Sequence, residues 1–174
     1  MNEEEKTYAV SSPNQSLHEL QAGSFEVFYR LHHDAVYRPL AMSLRDASLA
    51  AEATDEAFAR AYERWETVRE YENPPGWVYR VALNWSRSKL RRRRFETVGE
   101  YADGESHAGN GFDPDLDLAL SRLPLDERAM VILKHYAGWT YDEIAEALGI
   151  RPGTVKSRLH RIMTDLRAAL EVRS

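Results

Sequence analysis

The chain has 174 residues, of which 43% are hydrophobic and 29% are charged, and its formal net charge of −5 argues at first sight against a nucleic-acid partner. The absence of cysteine excludes disulfides, thiolate nucleophiles and zinc–thiolate sites, and it fits a cytosolic protein. No apolar run approaches the ~18–20 residues of a membrane span, and the acidic N-terminus lacks the basic-then-apolar order of a secretory signal.

Apolar periodicity predicts helices along the first half of the chain. Ser24 is a suitable cap for the first of them, and Pro39 should kink or break it. An Asn-Pro-Pro-Gly turn leads into the third helix. In chain order we predict a flexible arm at 1–22, helices at 24–44 and 47–65, a loop at 68–75 and a helix at 76–95.

Residues 96–114 combine glycines and acids with few large apolar residues, which predicts a flexible acidic linker. Thr140 and Glu143 have the spacing of a capping box, and no segment shows the period-two alternation of a strand. Four further helices are predicted at 115–122, 124–136, 141–148 and 152–171. The sequence therefore predicts an all-α protein of two small helical domains, 23–95 and 115–172, joined by that linker.

Charge is segregated along the chain. Residues 76–94 hold Lys and Arg with no acid, residues 95–117 hold acids with no Lys or Arg, and residues 150–170 are again mainly basic. Because electrostatic fields are screened beyond ~8–10 Å, a local basic patch attracts a polyanion even when the net charge is negative. The alternative interpretation is that both basic runs are solvated helix faces.

The two helices around Leu148-Gly149-Ile150 have the pattern of a helix-turn-helix. On the second helix an apolar stripe faces polar and basic residues, as a helix that reads the major groove requires. The alternative is a three-helix bundle with a solvated last helix. Val155, Leu159, Ile162, Leu166 and Leu170 form the stripe, Ser157, His160, Arg161 and Thr164 lie opposite, and Lys156 and Arg158 flank them.

Two surfaces of the first domain also suggest partners. Aromatic residues alternate with cations in 76–94, and any that are exposed would stack on unpaired bases, although at least half should be packed in the core. Arg91 to Arg94 would bind phosphates. Acids on the second helix beside Phe58, taken as an exposed aromatic, would dock a basic protein surface, whereas a solvated acidic face is the alternative.

Taken together, these segments resemble the extracytoplasmic-function (ECF, group 4) sigma factors of the sigma-70 family. The resemblance covers 25–94 and 118–170 and includes NPPGWVYRVALNWSRSKLRRRR and RPGTVKSRLHRIMTDLRAAL. It implies that the first domain is sigma region 2, which binds the β′ clamp helices of bacterial core RNA polymerase and melts the minus-10 element. The second would be region 4, which binds the minus-35 element and the β flap, and the linker would follow the RNA-exit path.

The resemblance also implies roles for individual residues. The 68–75 loop would capture a flipped base of the non-template strand. Ala53 and Asp55 depart from the residues common in the family, which would alter affinity for the polymerase. The implied minus-35 residues are Thr154, Lys156, Ser157, Arg158, His160 and Arg161; the minus-10 residues are Trp77, Tyr79, Arg80, Asn84, Arg87, Ser88, Arg91 and Arg92; the polymerase-binding residues are Glu52, Asp55, Glu56 and Phe58.

The expected function is that of a cytoplasmic promoter-specificity subunit, without an active site, cofactor, metal or membrane insertion. Its expected partners are core RNA polymerase, promoter DNA as duplex and melted strand, and an anti-sigma factor. The alternative is a stand-alone helix-turn-helix regulator with an N-terminal sensing domain, which would bind duplex DNA as a dimer. An enzyme finds little support, because no acid–base set, metal set or glycine-rich phosphate loop is recognisable.

Overall fold

The computed structural model describes residues 24–96 and 113–171, and within these ranges all regular structure is helical. The predicted all-α class is confirmed. The predicted arm and residues 97–112 of the predicted linker lie outside the described residues. The helices are α1 (Phe25–Leu44), α2 (Ala47–Glu63), α3 (Trp65–Val68), α4 (Pro74–Glu96), α5 (Pro114–Ser121), α6 (Leu125–His135), α7 (Tyr141–Leu148) and α8 (Pro152–Glu171).

Side-chain caps fix where several of these helices begin. The Ser24 hydroxyl accepts a hydrogen bond from the backbone N–H of Val27 at 3.3 Å, as predicted. The predicted capping box at α7 is also present: Thr140 Oγ1 accepts from the Glu143 N–H at 3.2 Å, and the Glu143 carboxylate accepts from the Thr140 N–H at 2.7 Å. Each cap satisfies donors that the first turn of a helix leaves unpaired.

The prediction that Pro39 interrupts the first helix is wrong in one respect, because α1 continues through Pro39 to Leu44 without a break. Proline removes one backbone hydrogen bond, and burial on both sides of it holds the helix together. Val36 and Leu40 are fully buried, and α1 packs against α2, α4 and α6. The Ser43 hydroxyl donates to the Pro39 carbonyl oxygen at 2.7 Å.

The structure has an N-terminal half (α1–α4) and a C-terminal half (α5–α8), which pack directly against each other. Helix α6 contacts α1, and α7 contacts α4. The buried residues of both halves form one continuous hydrophobic core. Among the described residues, no helix has both the length and the apolar character needed to cross a membrane.

Two arginines connect the halves through polar contacts at the end of α1. Arg45 donates to both carboxylate oxygens of Asp117, at 2.8 and 3.1 Å. Arg128 Nε donates to the carbonyl oxygen of Ser43 at 2.6 Å. The same guanidinium donates to the carbonyl oxygens of Leu120, Ser121 and Leu123 at 3.3–3.4 Å, and so it also closes the α5–α6 turn.

Replacing Gly149 by alanine should destabilise the chain, because Gly149 ends α7 in the left-handed conformation with φ +68°. Alanine there meets the penalty of ~1–2 kcal/mol for that conformation, and its Cβ would lie 3.2 Å from the Arg80 guanidinium. We expect the midpoint of thermal unfolding to fall. The control is Gly153→Ala, where a Cβ meets open space; an equal fall in both variants would contradict the argument.

Candidate nucleic-acid interface

Helices α7 and α8 form the predicted helix-turn-helix. After Gly149, the backbone N–H of Ile150 donates to the Ala145 carbonyl at 3.0 Å, which closes the turn. Val155, Leu159 and Ile162 are buried against the rest of the C-terminal half, so the opposite side of α8 faces solvent. This α8 outer face carries Lys156, Ser157, Arg158, His160 and Arg161, all exposed, with Thr154 half-buried at its start.

Arg161 is held in place on the α8 outer face by an acid of α6. Its guanidinium donates to the Glu127 carboxylate at 2.8 Å, while the Arg161 side chain stays 63% exposed. An arginine in this state is oriented but still accessible. It is therefore suited to a bidentate contact with the N7 and O6 acceptors of guanine.

A pocket of about 300 Å³ lies between α2 and α4 and gathers several of the predicted minus-10 residues. Asn84 Oδ1 accepts from Arg87 at 2.7 Å, which leaves its amide N–H groups as donors toward a ligand. Lys89 Nζ lies 4.9 Å from the centre of the Trp85 ring. We call this the base pocket; it is lined by Arg60, Val81, Asn84, Trp85, Ser88 and Arg92.

Sequence reasoning missed Arg60 as a member of the base pocket. Arg60 lies on α2, and its guanidinium is held by Glu56 of the same helix at 2.7–2.8 Å. Helix α2 packs along α4, and only this packing brings Arg60 beside Asn84 and Ser88. The spacing of residues within one helix carries no signal for a contact between two helices.

Tyr79 does not have the exposed position that a contact with DNA requires in this structure. Its side chain is fully buried, and its ring meets Trp139 of the C-terminal half edge-on, with centroids 5.6 Å apart. Because Ser43 gives its proton to Pro39, the Tyr79 hydroxyl donates to Ser43 Oγ, at 3.3 Å. Burial raises the pKa of Tyr79 to about 12, so the hydroxyl stays neutral.

The remaining predicted minus-10 residues lie along α4 on both sides of Tyr79. Trp77 is half-buried, whereas Arg91 and Arg92 are exposed near the end of the helix. Arg80 is exposed and reaches the turn at Gly149. Arg87 forms an ion pair with Asp126 of α6, so part of this basic surface faces the C-terminal half and not solvent.

The acidic patch of Glu52, Asp55 and Glu56 lies on the outside of α2, with Glu52 and Asp55 exposed and Glu56 partly so. Phe58, predicted as the exposed aromatic beside it, is only 2% exposed, and this prediction is corrected. Its ring packs on Phe25, Phe28, Tyr29 and His33. The exposed aromatic on α2 is Tyr62, one turn further on and 67% exposed.

Family models match both halves of the chain: residues 28–96 match the family described as Sigma-70 region 2, and residues 114–166 match Sigma-70, region 4. The chain is 32% identical over 154 residues to an RNA polymerase sigma-E factor of Streptomyces coelicolor, covering 86% of this chain and 87% of that protein. It is 29% identical over 161 residues to the ECF RNA polymerase sigma factor SigL of Mycobacterium tuberculosis, covering 87% and 91%.

Solved structures show a similar arrangement. The sigma factor RpoE of Bartonella quintana, solved in complex with the anti-sigma factor NepR, superposes with a TM-score of 0.67 and 25% sequence identity, covering 86% of this chain and 98% of that one. CnrH, solved with the cytosolic domain of CnrY, shares the fold with a TM-score of 0.59 and 20% identity, covering 90% and 96%.

Proposed function

Since this chain belongs to the sigma-70 family as an ECF RNA polymerase sigma factor, and is thus a promoter-specificity subunit of RNA polymerase, we propose how its surfaces divide the recognition of a promoter. The proposal assigns the minus-10 element to the N-terminal half, within 23–95, and the minus-35 element to the C-terminal half, within 115–172. Each assignment is supported by side chains that are accessible and suitably charged.

The α8 outer face reads the minus-35 element as duplex. Lys156, Arg158 and Arg161 supply cations for phosphates and base edges, and Ser157 and His160 supply shorter hydrogen-bonding groups. The buried stripe of α8 fixes the helix from behind, so its exposed side can enter a major groove without rearrangement. Arg161 then exchanges its contact with Glu127 for one with DNA.

The base pocket binds one extruded base of the melted minus-10 strand, in addition to the flipped base that the resemblance assigns to the 68–75 loop. Removing a base from the stack costs a few kcal/mol. Stacking on an aromatic ring and hydrogen bonds to the base edge offset this cost. Trp85 supplies the ring and Asn84 the N–H donors, while Arg60 and Arg92 lie at the pocket for the backbone phosphates. The presence of Asn84, Trp85 and Ser88 around one pocket is the observation that carries this proposal.

The acidic patch on α2 binds the polymerase, on a basic surface of the β′ clamp helices. Glu52 lies 3.9 Å from Lys89 and Glu56 is held by Arg60, so cations of the partner compete with these ion pairs for the exposed carboxylates. Phe58 supports the helix from inside and makes no direct contact. The β flap binds the C-terminal half. The protein acts in the cytoplasm, without a cofactor or catalytic residues of its own. An anti-sigma factor holds it inactive, as the complex of RpoE with the anti-sigma factor NepR suggests.

Run-off transcription with bacterial core RNA polymerase and a pool of genomic promoter fragments tests these assignments. Replacing Asn84 or Arg161 by alanine should lower the yield of sigma-dependent transcript about fivefold to tenfold. A base contact contributes ~1–3 kcal/mol of discrimination, and each substitution removes part of one such contact. Arg122→Ala, at an exposed turn residue that is assigned to neither surface, is the control and should leave the yield unchanged.

Two outcomes would contradict the proposal. No transcript from the unsubstituted chain, together with tight, salt-sensitive binding to duplex DNA by the chain alone, would favour the stand-alone regulator. Transcript that depends on the chain but is unaffected by either substitution would leave the sigma function intact. It would refute the roles assigned to the base pocket and the α8 outer face.

A further inference from the structure

The polar side chains that line the base pocket are mostly hydrogen-bond donors. Arg60 on α2 and Arg92 on α4 carry N–H groups and no acceptor, and the indole nitrogen of Trp85 likewise only donates. The Ser88 hydroxyl donates or accepts, as its partner requires. The polarity that an extruded base meets is therefore decided at Asn84, whose side chain has a carbonyl on one side and N–H groups on the other.

Arg87 decides which side of the Asn84 side chain stays available. A guanidinium only donates, so the Asn84 atom that lies 2.7 Å from Arg87 Nη1 is the carbonyl Oδ1, and the amino group is left for a ligand. Both residues lie on α4, three positions apart, so the contact is local to one helix. The second terminal nitrogen of Arg87 donates to Asp126 of α6. One guanidinium thus fixes the orientation of the Asn84 amide.

This orientation removes the usual way in which asparagine binds adenine. An asparagine side chain pairs with adenine through both of its ends, because the carbonyl accepts from the N6 amino group while the amide nitrogen donates to N7. With Oδ1 occupied by Arg87, Asn84 has only donors to offer, and the adenine amino group is a donor as well. Guanine, cytosine and thymine each carry a carbonyl oxygen that can accept from Asn84, whereas adenine carries none. A donor that faces another donor in a site without water is left unpaired, at a cost in affinity.

We propose that Arg87 is a positioning residue that makes the base pocket reject adenine and accept a base with a carbonyl oxygen. The inference rests on the proposed function, which places one extruded base of the melted strand in this pocket. The charges of Arg60 and Arg92 act in the same direction, because they attract a carbonyl oxygen and repel the N–H groups of an exocyclic amino group. The selectivity comes from an unfavourable contact with the wrong base as well as from a favourable contact with the right one.

Transcription from a promoter library tests the rejection of adenine. A genomic promoter that the holoenzyme transcribes is rebuilt with its minus-10 element fully randomised, and a barcode in the transcribed part identifies the template of each transcript. The extruded base lies at the position where Asn84→Ala changes the base preference. At that position of the non-template strand we expect the unsubstituted chain to use adenine about fivefold to tenfold less than the other bases, the lower part of the range that one base contact gives. Equal or preferred use of adenine there would overturn the inference.

Two substitutions of Arg87 separate its effect on Asn84 from its charge. Lysine also donates without accepting, so Arg87→Lys should keep the discrimination against adenine. Arg87→Met frees Oδ1 of Asn84 to face the pocket, and adenine should then be used as often as the other bases.

Arg91→Met is the matched control for Arg87→Met, since Arg91 is an exposed arginine of α4 outside the lining of the base pocket. It removes the same charge, so it should lower transcript from all templates alike and leave the base preference unchanged. Discrimination that persists in Arg87→Met, or that disappears equally in Arg91→Met, would refute the role of Arg87.

The same library separates failure of this inference from failure of the proposed function. No transcription with core polymerase would refute the proposed function and the inference with it. Transcription without any position sensitive to Asn84→Ala would refute the base pocket. A sensitive position at which adenine is used freely would leave the base pocket standing and refute only the selectivity assigned to Arg87.

Discussion

Replacing Phe58 by alanine should lower the free energy of unfolding by about 3–5 kcal/mol, as for other large aromatic residues removed from a core. Phe58 is 2% exposed, and its ring centre lies 5.1 Å from that of Tyr29 and 5.8 Å from that of Phe28. The truncation would leave a cavity between α1 and α2 that these rings cannot fill. Denaturant-induced unfolding followed by circular dichroism measures the loss.

Tyr62→Ala is the matched control for Phe58→Ala, since Tyr62 lies one turn further along α2 and is 67% exposed. Its replacement loses one edge-on contact with Phe25, at 5.1 Å between ring centres, and should lower the free energy of unfolding by only about 1 kcal/mol. If Phe58→Ala instead kept full stability and lost only affinity for the polymerase, Phe58 would be a contact residue and its assignment to the core would be wrong.

Replacing Arg128 by methionine should lower the free energy of unfolding by about 2–3 kcal/mol, because it leaves buried carbonyl oxygens without a donor. Methionine keeps the apolar stem, so the effect isolates the guanidinium. That group donates to Ser43 in the N-terminal half and to three carbonyls of the α5–α6 turn. Burial, and after it the charge of Arg45, lowers the pKa of Arg128.

The matched control is Arg122→Met, at an exposed position in the same turn, which should be close to neutral. Thermal unfolding followed by circular dichroism compares the two. Equal midpoints for both variants would mean that water replaces the guanidinium at the carbonyls, and the stabilising role given to Arg128 would be refuted.

Most of the helix boundaries could be predicted from interactions between residues close in sequence. The caps at Ser24 and Thr140 depend on residues three apart in sequence, and the turn at Gly149 depends on one glycine. Such interactions are formed within one turn of backbone, so the sequence alone specifies them. The buried stripe on α8 was predictable for the same reason, since helical periodicity separates Val155 and Leu159 from the exposed Lys156.

The features that could not be predicted from the sequence depend on contacts between separate helices. Phe58 and Tyr79 lie within the charged segments that suggested exposed aromatics, yet α1 covers one and Trp139 the other. Arg60 reaches the base pocket, and Arg128 reaches Ser43, only because separate helices meet. Pro39 remains helical because its neighbours are buried on three other helices, a stabilisation that no propensity scale contains.

The continuous core has a calorimetric consequence. Separating the halves would uncover the apolar contact between Trp139 and Tyr79, which is packed within that core. Apolar surface newly wetted raises heat capacity, while apolar surface buried against a partner lowers it. If binding to the polymerase separates the halves, the heat capacity should fall by less than the area of the new interface alone implies. The difference between the expected and the measured fall would report how much of the core becomes exposed.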